Sequence, residues 1–159
     1  MIPDNHKLGE LARYVARRSQ DDPNFDDTKL LVLLAFADFL AFGRRGESIT
    51  GAAYVKLAFG PSPENGSRIA EYAQDGNVTP GVLSDDDMRI ADEVVEHYGS
   101  WTAAALSEEA KREFTGWRMA EEGEEIRYGS VFLAADQTPS PRAIELGQRA
   151  ARELGLVAS

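Results

Sequence analysis

Apolar residues at helical spacing open the chain. Leu8, Leu11, Ala12 and Val15 share one face of a segment from Asp4 to Ser19, and Asp4 stands where it can cap the start. The acidic, proline-containing stretch from Asp21 to Asp27 reads as a loop that ends on an aspartate N-cap. The next segment is apolar on every side. Leu30, Leu31, Val32, Leu33, Leu34, Phe36, Phe39, Leu40 and Phe42 predict a buried central helix over about 28–42, with Gly43 as the residue that closes it. Asp38 interrupts this run. A carboxylate there must pair, reach solvent or take up a proton, and a structural partner such as Arg44, Arg45 or a backbone amide is expected.

The period then changes to two. Val55, Leu57 and Phe59 alternate with Tyr54, Lys56 and Ala58, bounded by Gly51 and Gly60-Pro61, which with Ser48 to Thr50 predicts a small β-hairpin over about 48–60. Ser62 and Pro63 read as the N-cap and first position of a helix through Ile69, Ala70, Tyr72 and Ala73 that stops at Gly76. Ser84-Asp85-Asp86-Asp87 is the clearest start signal, a capping box with acids against the positive end of the helix dipole. Met88, Ala91, Val94, Val95 and Tyr98 form the inner stripe of that helix, and Gly99 ends it.

Ser100 and Ser107 read as caps of further short helices, the second reaching Glu122 with a break near Thr115-Gly116. Ile126 to Ala134 reads as extended, and Pro139-Ser140-Pro141 opens a last helix holding Ile144, Ala151 and Leu154. The expected fold class is mainly α: a compact helical domain around the buried central helix, with one small hairpin. No repeat divides the chain, so a single domain over 1–159 is expected, with 135–159 as a C-terminal helical extension.

Composition narrows the function. Its 159 residues, 43% hydrophobic and 28% charged, suit one folded domain rather than a disordered chain. The absence of cysteine excludes disulfide scaffolds, cysteine nucleophiles and thiolate metal sites. The longest apolar run, Leu30 to Phe42, falls short of the roughly 20 residues that span a bilayer, and Met1 to Glu10 has no secretory character. A cytoplasmic protein with no membrane partner is therefore expected. Of the net charge of −10, most sits in residues 84–125, where thirteen acids face four bases. Such a surface repels phosphate backbones and speeds encounter with a basic partner, so direct nucleic-acid binding is not expected.

No catalytic constellation emerges. The two histidines each have an acid four residues away, His6 with Glu10 and Glu93 with His97, and both pairs read as surface ion pairs because a metal site needs more ligands. There is no Gly-x-Ser-x-Gly elbow, and the glycines at 60 and 66 lack the lysine of a phosphate loop. No cofactor, metal or catalytic residue is expected. Aromatic residues beside turns, namely Phe59, Tyr98, Trp101 and Trp117, fit a core and equally an interface centre, so a binding module is the best class-level reading.

Several elements stand in a recognisable order. Lys29-Leu30-Leu31 leads into the helix with Phe36-Ala37-Asp38, Gly51 to Phe59 runs into Gly60-Pro61, Leu83-Ser84 starts a helix ending at His97-Tyr98-Gly99, and Leu106-Ser107 precedes Trp117 and Ile126. Over roughly 25–133 this resembles the Panacea domain of SocA-like antitoxins. The resemblance implies a mostly helical fold and neutralisation, by direct protein binding, of a cognate toxin encoded by a neighbouring gene, often a translation inhibitor. The member that gives the family its name acts instead as an adaptor to a Clp protease. An enzyme that reverses a toxin's modification is a further alternative, for which the sequence supplies no nucleophile. Where the family often has a histidine shortly before the tryptophan, this chain has Lys111 to Glu113.

On this reading the toxin meets the acidic segment and the hairpin corner. The expected contact residues are Phe59, Gly60, Pro61, Asp92, Glu93, Glu96, Tyr98, Trp101 and Trp117, while Asp38, Gly43, Ser84 and Gly99 serve the fold. A homodimer is a further arrangement the sequence leaves open.

Overall fold

The central apolar run becomes the helix around which everything else packs. In the computed structural model, which describes residues 5–74, 76–114 and 120–129, five helices and three short strands follow one another. They are α1 (Asn5–Arg18), α2 (Asp27–Arg45), β1 (Tyr54–Leu57), β2 (Gly60–Pro63), α3 (Gly66–Gln74), α4 (Asp85–Tyr98), α5 (Ala103–Glu113) and β3 (Glu125–Ile126). The fold is mainly α with a small antiparallel sheet in the order β2-β1-β3. Asp4, the segment 115–119 that includes Trp117, and the extension over 135–159 with its expected helix lie outside the described residues.

Asp26 caps α2 by accepting from the Lys29 amide at 2.8 Å. The helix is buried from Lys29 through Phe39 and again at Ala41 and Phe42, because α1, α3, α4, α5 and β2 all lie against it. Burying a Leu or Phe side chain is worth about 1.5–3 kcal/mol, so this one helix collects much of the apolar driving force. Its end corrects the sequence reading. Gly43 lies inside α2, and Gly46 is the capping residue, at φ +77° with its N–H on the Phe42 carbonyl at 2.9 Å. Only a residue that tolerates left-handed backbone closes this turn, and the second glycine of Gly43-Arg44-Arg45-Gly46 meets the requirement.

The hairpin also differs. Its strands are β1 and β2, paired from Tyr54↔Pro63 to Leu57↔Gly60, and Ser48 to Thr50 stay outside the sheet. Ser62 and Pro63 therefore belong to a strand rather than to a helix start, and α3 begins at Gly66. Proline fits there because an edge strand does not need its N–H. On the other side of β1, Tyr54 and Val55 pair with Ile126 and Glu125. Tyr128 then stacks on Phe39 and Phe42, with ring centroids 4.7 and 5.4 Å away, and its hydroxyl donates to the Ala52 carbonyl.

Two helix starts were legible to different degrees. Ser84 accepts from the Asp87 amide and Asp87 accepts from the Ser84 amide, both at 3.0 Å, which completes the expected capping box of α4. Gly99 follows its last turn as expected. The next cap is Thr102, which accepts from the Ala105 amide at 3.1 Å; neither Ser100 nor Ser107 takes that place, and Ser107 is buried within α5. The described part of α5 ends at Glu113, short of the expected Glu122.

Three buried polar groups hold the layers in register. Asp38 is fully buried and accepts from the Thr50 amide at 2.8 Å, the Thr50 hydroxyl at 2.6 Å and the Tyr54 hydroxyl at 2.6 Å. Its partners are thus a backbone amide and two hydroxyls, not Arg44 or Arg45. Burial pushes its carboxyl above the usual range, and these donors, with the Ile49 amide, only partly offset that. Glu10, expected on the surface with His6, is instead fully buried. It accepts from the Thr79 amide at 2.7 Å, the Thr79 hydroxyl at 3.0 Å and the Tyr72 hydroxyl at 3.2 Å, tying α1 to α3 and to the loop after it. Burial raises its pKa, but the donated hydrogen bonds and Arg13 outweigh this and leave it lowered. The same seam needs Gly9: a Cβ there would sit 2.6 Å from the Tyr72 ring.

Lys29 is the third group. With no exposed side-chain surface, its ammonium donates to the Asp22 carboxylate, to the Gly99 carbonyl at 3.1 Å and to the Trp101 carbonyl at 2.7 Å. One charge therefore ties the loop before α2 to the turn between α4 and α5.

Candidate functional site

The acidic segment is partly spent inside the fold. Arg45 of α2 reaches Asp86 and Asp87 at 2.7 Å each, and Lys7 of α1 reaches Asp87 at 3.0 Å. These partners hold Asp87 below the usual carboxylate range despite its burial, together with the amide of Ser84. Asp92 accepts from the Tyr14 hydroxyl at 2.8 Å and pairs with Arg18 at 3.0 Å, so it joins α1 to α4. Burial and the hydrogen bond to Asp92 raise the Tyr14 phenol. Glu93 pairs with Arg44 of α2 rather than with His97. Glu96 is exposed, with no ion pair among the described residues.

Between α2 and α4 lies a groove of about 380 Å³, lined by Phe36, Leu40, Arg44, Glu93, Val94, His97 and Tyr98. Its floor is apolar because α2 turns Phe36 and Leu40 toward the inner stripe of α4, and the Arg44–Glu93 pair crosses its rim. At the α5 end the floor becomes aromatic. Tyr98 packs on Phe36 with centroids 4.6 Å apart and meets Trp101 edge-on at 5.0 Å; His97 meets Tyr98 edge-on at 4.5 Å and lies 6.3 Å from Trp101. Phe114, past the end of α5, backs Phe36 at 5.1 Å. Burial first, and then the charges of Glu109 and Glu113 on α5, push the Tyr98 phenol up to about 12.

The structure thus sorts the nine expected contact residues. Glu93, Tyr98 and Trp101 come together at the groove, with Glu96 on the same helix three residues beyond Glu93. Asp92 faces α1 instead. Gly60 and Pro61 are buried and Phe59 is half-buried, with Gly60 lying over Val32 and α5, so this corner supports the core. Trp117 lies outside the described residues. The sequence reading missed Phe36 and Leu40 as groove residues because their apolar character is indistinguishable from core, and it missed His97 as an aromatic partner because the acid at four residues' spacing claimed it. Lys29 carried a signal, a lone cation at the start of an all-apolar helix, which marks a buried charge in search of a partner.

Among the described residues no group of three or more His, Asp or Glu side chains is arranged to hold a metal ion. No helix among them is long and apolar enough to cross a membrane.

The fold is a mainly α domain built on one buried helix, with an apolar and aromatic groove between α2 and α4 whose rim carries the Arg44–Glu93 pair. The family model described as Antitoxin SocA-like, Panacea domain matches residues 30–118, and the chain belongs to that family. Membership carries an antitoxin role in general terms, implies a toxin as partner and points away from catalysis. Neither the curated proteins nor the solved structures yield a match.

Proposed function

We propose that this protein neutralises a cognate toxin, the product of a neighbouring gene, by forming a stoichiometric complex with it. The contact surface is the groove between α2 and α4 together with the outward acids of α4. The single observation that carries this reading is the groove itself: an apolar and aromatic floor edged by Glu93 and followed by the exposed Glu96, inside the segment that holds most of the chain's negative charge. Aromatic anchors at the centre of a patch and charge at its rim are what concentrates affinity in protein interfaces. A toxin acting on RNA or nucleotides presents a basic site, and the exposed Glu96 beside the groove, within the acidic segment 84–125, favours its approach. In this reading the chain acts as one domain in the cytoplasm.

The test is co-expression with the toxic product of the adjacent open reading frame, followed by purification and measurement of stoichiometry. Growth rescue with a stable complex is expected, and reversing Glu96 to lysine weakens the complex and flattens its salt dependence. Asp92 and Glu93 are left intact in that test because they hold α1 and α2 to α4. Rescue without any complex overturns direct neutralisation and favours delivery to a Clp protease.

A further inference from the structure

A second cavity lies between α1, the end of α3 and the loop that follows it. Its volume is about 340 Å³, and it shares no lining residue with the α2–α4 groove. From α1 come Arg13 and Arg17, and from just past its end Gln20; intervals of four and three put them on one side of the helix. Gln74 of α3 and Asn77 of the loop form the rest of the polar lining, and the small side chains of Ala16 and Ala73 leave the space open. Among the described residues no carboxylate lines this cavity, in a chain whose net charge is −10.

The two guanidiniums are in different states. Arg13 is fixed, with its side chain only 16% exposed. It lies over the Tyr72 ring at 3.6 Å, donates through Nε to the Tyr72 carbonyl at 3.1 Å and through Nη1 to the Asn77 carbonyl at 3.5 Å, and pairs with Glu10 at 3.6 Å. Its Nη2 makes no hydrogen bond among the described residues. Arg17 is exposed and makes neither a hydrogen bond nor an ion pair among them, whereas Arg18 holds Asp92, Arg44 holds Glu93 and Arg45 holds Asp86 and Asp87. The side-chain amides of Gln20 and Asn77 are also uncommitted there, while that of Gln74 donates to Asp27 at 3.4 Å. Like charges four residues apart on a helix repel. Glu10 offsets Arg13, and no described acid offsets Arg17.

Free donors that meet in one cavity from a helix and a loop call for an acceptor with several oxygens. A guanidinium stays charged and takes carboxylate or phosphate oxygens through paired N–H groups. One such fork satisfies a carboxylate. A phosphate monoester brings three acceptor oxygens and about two negative charges, enough for Arg17, the Nη2 edge of Arg13 and a side-chain amide together. The cavity stands at the small end of the range of ligand sites, about 300–1,000 Å³, so there is room for a small organic body beside the phosphate.

We propose that this cavity binds a single phosphate group, held by Arg17, the Nη2 edge of Arg13 and the side-chain amides of Gln20 and Asn77. Arg13 is already held by α3 and the loop, so this donor needs no reordering when the anion arrives. The bound anion joins α1 to the loop after α3 and stabilises the chain by mass action. The site is separate from the toxin-binding reading, and the failure of either leaves the other intact.

The test titrates the full ¹⁵N-labelled chain, at neutral pH and constant ionic strength, with glycerol phosphate, inorganic phosphate, glycerol and succinate. Saturable movement of the Gly76 and Asn77 amide signals by the phosphate compounds at millimolar concentration is expected, with none from glycerol. Arg17→Gln weakens this binding by about tenfold. An unchanged urea midpoint without ligand shows that this exposed substitution leaves the fold intact; Arg13 is not substituted because it holds α1 to α3. Tighter binding of the ester than of inorganic phosphate assigns the site to a phosphorylated metabolite, and equal binding assigns it to the free ion; either result supports the phosphate site. No saturable movement, movement that Arg17→Gln leaves unchanged, or succinate binding as tightly as the phosphate compounds overturns it.

Discussion

Replacing Lys29 by methionine tests the idea that one buried charge organises both the core and the groove. The substitution keeps the length of the side chain and removes the ammonium. Three acceptors then lose their donor: the Asp22 carboxylate, whose side chain is only 8% exposed, and the carbonyls of Gly99 and Trp101. Breaking a buried pair by removing one partner costs about 3–5 kcal/mol, mostly because the surviving charge is stranded. Each carbonyl left without a donor adds about 1 kcal/mol unless water reaches it, and the buried methionine offsets part of this. A net loss of about 3–5 kcal/mol is expected, a large fraction of the 5–15 kcal/mol typical of a domain. Urea unfolding at pH 7, followed by circular dichroism, measures it as a lower midpoint at constant slope. The double variant Asp22→Asn/Lys29→Met removes the stranded charge and is expected to recover about 1–3 kcal/mol. A loss below about 1 kcal/mol, or a double variant no more stable than the single one, would refute the reasoning.

Other expectations come from the buried carboxylates and the end of α2. Asp38 has a raised pKa in the folded state, so it binds its proton more tightly there; the stability it contributes is complete below the unfolded pKa near 3.8 and is lost as pH rises through the folded value. Asp38→Asn removes this term, so the loss of stability on acidification, measured by urea midpoints from pH 3 to 7, becomes steeper than in the parent. Glu10 is the opposite case: its lowered pKa gives stability that is present above about 4.5 and fades as pH falls through the folded value. Glu10→Gln is expected to cost about 1.5–3 kcal/mol at pH 7, with the gap to the parent closing toward pH 3. Gly43→Ala, inside α2, stabilises by about 0.5–1 kcal/mol, whereas Gly46→Ala at φ +77° destabilises by about 1 kcal/mol; thermal unfolding of the pair distinguishes interior from cap.

The parts of the fold that rest on local chemistry were legible in the sequence. A run of Leu, Val and Phe broken only by small residues and Asp38 marks a buried element, and the capping box of α4 is formed by Ser84 and Asp87 within four residues. Errors arose where one local signal serves two outcomes. Ser62-Pro63 looks the same at a helix start and on an edge strand, and Gly43 and Gly46 stand three residues apart at the end of the apolar helix, so the decision falls to which carbonyl needs a donor. The burial of Glu10 and the partners of Lys29 were unreadable for another reason. Their partners Thr79 and Trp101 lie 69 and 72 residues away, and only the packing of α1 and α2 against distant turns brings them together. The candidate site was half legible: Glu93, Tyr98 and Trp101 were named from charge and aromaticity, but their meeting with Phe36 and Leu40 is a product of the α2–α4 crossing.

The register of the small sheet bears on how the protein keeps in storage. Pro61 and Pro63 stand opposite Lys56 and Tyr54, and Lys56 turns its own N–H and carbonyl the other way, to Glu124 and Gly123. The outward side of β2 therefore falls at the two prolines, which have no N–H to offer. On the far side, among the described residues, the sheet ends with the two residues of β3. Crowded copies of an open sheet recruit one another strand by strand. Here β2 is buried along its whole length against α2 and α5, and its prolines leave no N–H for a further strand, so this margin offers no template for pairing.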